Sequence, residues 1–391
     1  MAQPMRDLLK FLGPMLGRAV VILAVGLAVR VAVPAAFDER PRARELGIAP
    51  GLGEPGPLNA ITDVMGVAVG QTTVVQGDNV RTGVTAILPH PGNVFREKVP
   101  GAVFVGNAFG KLAGSTQIDE LGTIETPIVL TNTLAVGAAV DAVVRWTLDQ
   151  PANADVRSVN AVVGETNDGT LNDIRGQHVT RDHVLSAIRA ASTGPVEEGS
   201  VGAGTGTIAF GWKGGIGTSS RRLRLGSDDW TIGVLVQTNF GGRLTIAGVP
   251  VWRTLTPPRT DLDASANPAD GSCMVVVATD APVDARDLKR LAARAIFALA
   301  RTGSTYANGS GDFAIAFSTH AALRVTSTTG VTARLALGTD AMSSLFEAAL
   351  DATEEAVDDS LLRASDVTAN GRTAHALPIP DLRDLLRRYG R

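Results

Sequence analysis

From Leu58 onward the chain alternates short apolar runs with stretches of helical periodicity. Residues 103–106 and 127–130 are continuous apolar runs of strand length, which suits strands buried on both faces. Residues 134–148 then place apolar side chains at helical spacing. A further strand is expected over 159–164, a short helix over 182–191, and strands over 207–212 and 231–238. Residues 273–278 form a strongly β-branched strand. Asp284 is placed to cap a helix that runs to about Arg301 and stops at Gly303, and a strand over 313–318 and a long helix over 342–362 follow. Strands fill the middle and long helices flank them, which predicts stacked sheets covered by helices.

Two segments break this pattern. Residues 37–56 are charged and rich in Pro and Gly, and read as a linker. Residues 256–271 contain three prolines, three aspartates and few apolar groups, and read as an exposed loop feeding the strand that starts at Ser272. Such a junction suits chain cleavage and equally suits an ordinary surface loop. Ahead of the linker, Arg6, Lys10 and Arg18 precede the apolar run 19–29. Arg30 interrupts that run, and small residues follow to Ala36. Residues 1–36 therefore read as a secretory signal or an uncleaved N-terminal anchor, which places the body in the periplasm or outside the cell.

Composition narrows the classes. A net charge of −3 leaves no broad basic field, and aromatics at 4% leave few stacking platforms, so nucleic acid is not an expected partner. The single cysteine, Cys273, excludes a disulfide scaffold. The five histidines show no metal-ligand spacing, so neither a metal nor a cofactor is expected. There is no G-x-S-x-G elbow. The run from Gly106 to Lys111 is one residue short of a phosphate loop and has Leu112 where magnesium needs a hydroxyl; it and the cluster Gly202 to Gly206 read as structural turns.

The chemistry concentrates at a few places. Gly271 followed by Ser272 sets a hydroxyl directly after a carbonyl carried by the least hindered residue. Attack there turns an amide into an ester, and water then frees an α-amine at Ser272. That amine titrates near about 8 and can act as the base for its own hydroxyl, with no histidine. Ser310 and Asp312 sit two residues apart at a strand start, so they share a face and suit a proton relay; a turn with a capping aspartate is the plainer reading. Glu165 and Asn239 each follow an apolar strand. A carboxylate there can hold an ammonium, an amide can donate to an oxyanion, and each also suits a structural strand-end hydrogen bond.

Longer motifs join these points. Phe210-Gly-Trp-Lys-Gly-Gly-Ile-Gly-Thr-Ser-Ser-Arg221 resembles the F-K-G-G-I-G-T-S-S-R stretch of the DmpA/BapA family of L-aminopeptidase D-esterase/amidases and β-peptidyl aminopeptidases. Gly122-Thr-Ile-Glu-Thr-Pro-Ile-Val-Leu-Thr-Asn-Thr133, Leu171-Asn-Asp-Ile174, Val234-Leu-Val-Gln237, Val275-Val-Val-Ala-Thr-Asp-Ala-Pro282 and His375-Ala-Leu-Pro-Ile-Pro-Asp381 resemble it too. The likeness runs from about Gly56 to the C-terminus. It implies one αββα domain over 57–391, similar in layers to N-terminal-nucleophile hydrolases and cut into 57–271 and 272–391. It implies a self-processed serine aminopeptidase acting on short peptides, amides or esters, assembled as a homotetramer of cleaved units. By motif, Ser272 matches the nucleophile, Ser310 the second serine, Asp312 the nearby acid, Asn239 the oxyanion asparagine and Glu165 the amine-binding carboxylate. Asn167 stands where the prototype has an aromatic residue lining the substrate pocket. The alternatives are an acyltransferase resembling the ornithine acetyltransferases, which characteristically expose threonine instead of serine, and a non-catalytic exported binding protein on the same fold.

Overall fold

The apolar run after Gly271 lies at the centre of the molecule. The computed structural model describes residues 40–258, 271–326 and 329–391. Residues 1–36, read above as a signal or anchor, and the greater part of the loop before Gly271 lie outside the described residues. In chain order the strands are β1 (Ala68–Gln76), β2 (Val80–Leu88), β3 (Val99–Ala108), β4 (Leu112–Ala113), β5 (Thr123–Ile124), β6 (Ile128–Asn132) and β7 (Val162–Thr166). They continue with β8 (Ile208–Ala209), β9 (Trp212–Lys213), β10 (Ile216–Leu225), β11 (Asp228–Asn239), β12 (Gly271–Thr279), β13 (Ser310–Ser318), β14 (Val367–Ala369) and β15 (Arg372–Ala374). The helices are α1 (Ser115–Leu121), α2 (Val136–Leu148), α3 (Arg181–Arg189), α4 (Ala285–Arg301), α5 (Met342–Leu362) and α6 (Ile379–Arg388).

Two sheets stack. One has the order β1-β2-β6-β7-β4, the other β10-β11-β12-β13-β3-β5. Leu130 and Val162 of the first sheet meet Leu235, Met274, Val276 and Ile315 of the second in the core between them. Helices α2 and α3 cover the outer face of the first sheet, where Ala139, Val143, Val184 and Ile188 pack on Val84, Val129 and Val163. Helices α4 and α5 cover the second, where Leu288, Leu291, Leu345 and Ala352 pack on Val275, Val277 and Ala314. The result is the expected αββα sandwich. It also explains the unbroken apolar run of β12: Met274 and Val276 face the sheet partner while Cys273, Val275 and Val277 face the helices, so no position meets water. The β12–α4 connection follows the expected cap, with Asp284 Oδ1 accepting from the Asp287 N–H at 3.0 Å.

Two expectations are corrected. Residues 207–212 are not one strand: β8 and β9 form a hairpin that turns at Phe210 (φ +54°) and Gly211 (φ +81°). Two successive residues at positive φ match the twist of a tight hairpin, and only the second is a glycine. The stretch read as a linker is part of the fold from Arg40 on. Arg40 Nε donates to the Leu362 carbonyl at 2.8 Å, Arg42 pairs with Asp359 and Glu198 at 2.9 and 2.8 Å, and Arg44 pairs with Glu355 at 2.9 Å. Its charges are there to meet buried acids that burial otherwise penalises.

Candidate active site

The site forms where β11 and β13 flank the start of β12. Ser272 stands opposite Asn239 in the antiparallel ladder with β11 and opposite Gly311 in the parallel ladder with β13. Side chains alternate along a strand, so Ser272 shares the face of Met274 and Val276, and Asn239 that of Leu235. Both therefore point into the space between the sheets. In the uncleaved chain Ser272 Oγ donates to its own neighbour, the Gly271 carbonyl oxygen, at 2.7 Å, and accepts from the Gly311 N–H at 3.4 Å. A methyl group on Gly271 would lie 2.1 Å from the Asn239 carbonyl oxygen and 2.5 Å from Phe240 Cα. Backbone on that side leaves room for glycine alone.

Hydrogen bonds fix both ends of the Asn239 amide. Oδ1 accepts from the Ile208 N–H at 3.0 Å, and Nδ2 donates to the Asn167 carbonyl at 2.9 Å. Nδ2 has a second hydrogen, so the amide is anchored and still holds a donor. Asn167 itself is exposed; its side-chain oxygen accepts from the Gly169 N–H at 2.9 Å. Its contribution to Asn239 is thus made by its backbone.

Glu165 comes from the opposite sheet, near the end of β7, and is 2% exposed. Oε1 accepts from the Lys111 N–H at 2.9 Å, and Oε2 accepts from the Thr133 hydroxyl. The Lys111 ammonium lies 3.8 Å from Oε1 on a half-exposed side chain. A Cβ on Gly110 would stand 3.2 Å from Glu165 Oε1 and 3.4 Å from Gly311 Cα. The turn that resembled a phosphate loop thus carries the carboxylate's backbone partner and fills the gap between the two sheets.

Ser310 and Asp312 do share a face, but not that of the Ser272 hydroxyl. Ser310 Oγ donates to Asp312 Oδ1 at 2.9 Å, while Asp312 Oδ2 is buried without a protein partner. Asp312 stands opposite Cys273, on the α4 side of the sheet. Burial pushes its carboxyl up to about 6, and the Ser310 hydrogen bond opposes that shift. Burial also pushes the Cys273 thiol well up, and the Asp312 charge adds to it. Ser310 is opposite Gly271 in register, one position before Ser272.

The layered fold, the hydroxyl next to a strand-initial carbonyl and the buried carboxylate at the end of β7 set the terms for comparison. The family model for peptidase family S58 matches residues 59–374. The chain belongs to peptidase family S58. The β-peptidyl aminopeptidase BapA of Sphingosinicella microcystinivorans is 44% identical over 383 residues, covering 91% of this chain and 94% of that protein. Among solved structures, the L-aminopeptidase D-Ala-esterase/amidase of Ochrobactrum anthropi is 40% identical with a TM-score of 0.84, covering 90% of this chain and 99% of that one. It is described as a prototype for the serine aminopeptidases and a variant of the Ntn hydrolase fold. A Burkholderia β-aminopeptidase is 42% identical with a TM-score of 0.81, at 90% and 99% coverage. This S58 member is a hydrolase, an aminopeptidase.

Sequence reasoning missed Lys111 and Thr133 as partners of Glu165. Thr133 closes one of the quoted motifs, and Lys111 ends the glycine turn, so the signal was present without its meaning. A lysine and a threonine gain a role here only through contact with a carboxylate 54 and 32 residues away.

Proposed function

We propose that this S58 aminopeptidase activates itself by cutting the bond between Gly271 and Ser272, and then removes the N-terminal residue of short peptides, amides or esters through an acyl-enzyme on Ser272. The position of the Ser272 hydroxyl supports this reading: it is hydrogen-bonded to the carbonyl it would attack, opposite Asn239 in the ladder. In the first step the Oγ–C bond forms, the C–N bond breaks and the nitrogen takes the hydroxyl proton. Water then cleaves the ester, leaving a carboxylate on Gly271 and a free amine on Ser272.

In turnover that amine accepts the Ser272 proton as Oγ attacks the substrate carbonyl, and returns it to the departing amine or alcohol; water then attacks the acyl-enzyme, passes a proton through the same amine back to Oγ and frees the N-terminal residue as its acid. The second Nδ2 hydrogen of Asn239 is the oxyanion donor. Glu165 holds the substrate ammonium. Ser310 and Asp312 act on the Ser272 amine from the helix side, where an ionised Asp312 favours the protonated amine. Asn167 bounds the pocket. The identity to β-peptidyl enzymes makes residues with an extended backbone, alongside ordinary α-residues, the substrate class to test.

Mass spectrometry of the purified protein should find a fragment spanning 272–391. Ser272→Ala should remain whole and inactive. Full activity from an uncut wild-type chain would remove the free-amine mechanism. Two further parts of this reading are export, supported by the basic and apolar pattern of residues 1–36, and a homotetramer of cut units, supported by the family resemblance. N-terminal sequencing of protein recovered from the producing cell tests the first, and light scattering of the purified enzyme tests the second.

A further inference from the structure

The two halves of the site lie on different sheets. Glu165 belongs to the first, Ser272 and Asn239 to the second, and the span from substrate amine to attacked carbonyl must match the gap between them. One side chain bridges that gap, two residues before Asn239 on the second sheet and beside Glu165 on the first. Gln237, fully buried, precedes Asn239 by two residues and faces the same way, opposite Met274 in the ladder. Its Nε2 lies 3.2 Å from the Thr131 carbonyl, 2.9 Å from the Thr166 hydroxyl and 2.9 Å from the Ala203 carbonyl. Thr131 is the ladder partner of Glu165, and Thr166 is its chain neighbour. Three acceptors around one nitrogen fix the orientation of the amide, and Gln237 Oε1 has no protein partner. Beside it the sheets touch at Gly164, where a Cβ would stand 2.7 Å from Met274 Sδ.

We propose that Gln237 is a positioning residue that sets the span between the amine-binding carboxylate and the nucleophile, and thereby the choice between α-residues and β-homo residues at the substrate N-terminus. This rests on the roles given to Glu165 and Ser272 above. The two substrate classes differ by one backbone carbon, a length of about 1.5 Å. A misplacement of about 1 Å costs on the order of 100-fold in rate, so a spacer at this position governs the choice. Gln237 draws the first sheet toward the second. Its loss, or a wedge at Gly164, lengthens the span and favours the longer residue.

The test compares kcat/KM for an α-aminoacyl and the matching β-homoaminoacyl p-nitroanilide. Gln237→Met keeps the length and removes the hydrogen bonds; Gly164→Ala inserts a methyl group and keeps Gln237. Each should raise the β-to-α ratio of kcat/KM about tenfold over wild type. A variant that merely unfolds in part lowers both substrates alike and leaves the ratio in place. A ratio within about twofold of wild type in both variants, or one that moves toward the α substrate, overturns the proposal. Mass spectrometry of the same samples separates this from the reading beneath it. Variants that produce the 272–391 fragment while keeping the wild-type ratio refute the spacer alone, whereas an active enzyme uncut at Gly271 refutes the site.

Discussion

Replacing Glu165 by glutamine keeps the size of a 2%-exposed side chain and removes its charge. That charge is met by the Lys111 N–H, the Thr133 hydroxyl and an ammonium at 3.8 Å on a half-exposed lysine. A substrate ammonium entering the same space gains a charge-assisted hydrogen bond of about 1.5–3 kcal/mol. To this is added a Coulomb attraction of about 4 kcal/mol at 4 Å in an effective dielectric near 20. Repulsion from Lys111 and the loss of substrate hydration oppose both, so a net of about 2–4 kcal/mol is reasonable. At 1.4 kcal/mol per tenfold, Glu165→Gln should lower kcat/KM about 30- to 700-fold. The assay is hydrolysis of an aminoacyl p-nitroanilide beside its analogue without the amine. The loss should appear for the first and nearly vanish for the second, while the 272–391 fragment still forms. An equal loss on both substrates, or less than about threefold on the first, would refute the ammonium role.

Gly271→Ala must displace backbone at Asn239 and Phe240, so it should leave most of the protein uncut after hours in which wild type is complete, read on a denaturing gel. The Ser272 amine must be neutral to act as the base, so kcat/KM should fall on the acid side as that amine takes up a proton, at about pH 8. Asp312→Asn removes a charge that favours the protonated amine, so it should move this limb to lower pH. Burial raises the Asp312 carboxyl to about 6 in the folded chain. The same shift works on stability: the share due to Asp312 is present below its ordinary value and is lost as pH rises through about 6. Arg221 meets Glu355 at 2.6 Å with both side chains fully buried. Arg221→Met should lower unfolding stability by about 3–5 kcal/mol in denaturant titration, leaving the rate per cut, folded enzyme unchanged.

Much of the frame was readable because it obeys local rules. Residues 342–362 form α5 at the expected bounds, the Asp284 cap starts α4, and β12 follows from its unbroken apolar run. What escaped depends on partners far along the chain. Arg42 and Arg44 look like linker charges until α5 supplies Asp359 and Glu355, more than 300 residues later. Conversely, Glu355, Asp358 and Asp359 look like a solvated helix face yet are fully buried. Strands β1 and β10 carry Thr, Gln, Ser and Arg among few apolar residues, so periodicity did not declare them. At the site, alternation correctly placed Ser310 and Asp312 on one face. Which face that was depends on how β12 and β13 pack on α4, and no motif encodes it.

The order of the second sheet has a consequence for the lifetime of the enzyme. Strands β12 and β13 follow Gly271 in the chain, yet they are threaded between β11 and β3, which precede it. A cut at that bond yields two pieces that are not separable domains: each supplies neighbours the other's strands require. The intact precursor can fold as one molecule, but denatured pieces would have to find each other first, at a rate that falls with dilution. Severing the chain would therefore make its assembly one-way, and the working protein would persist for as long as its unfolding is slow.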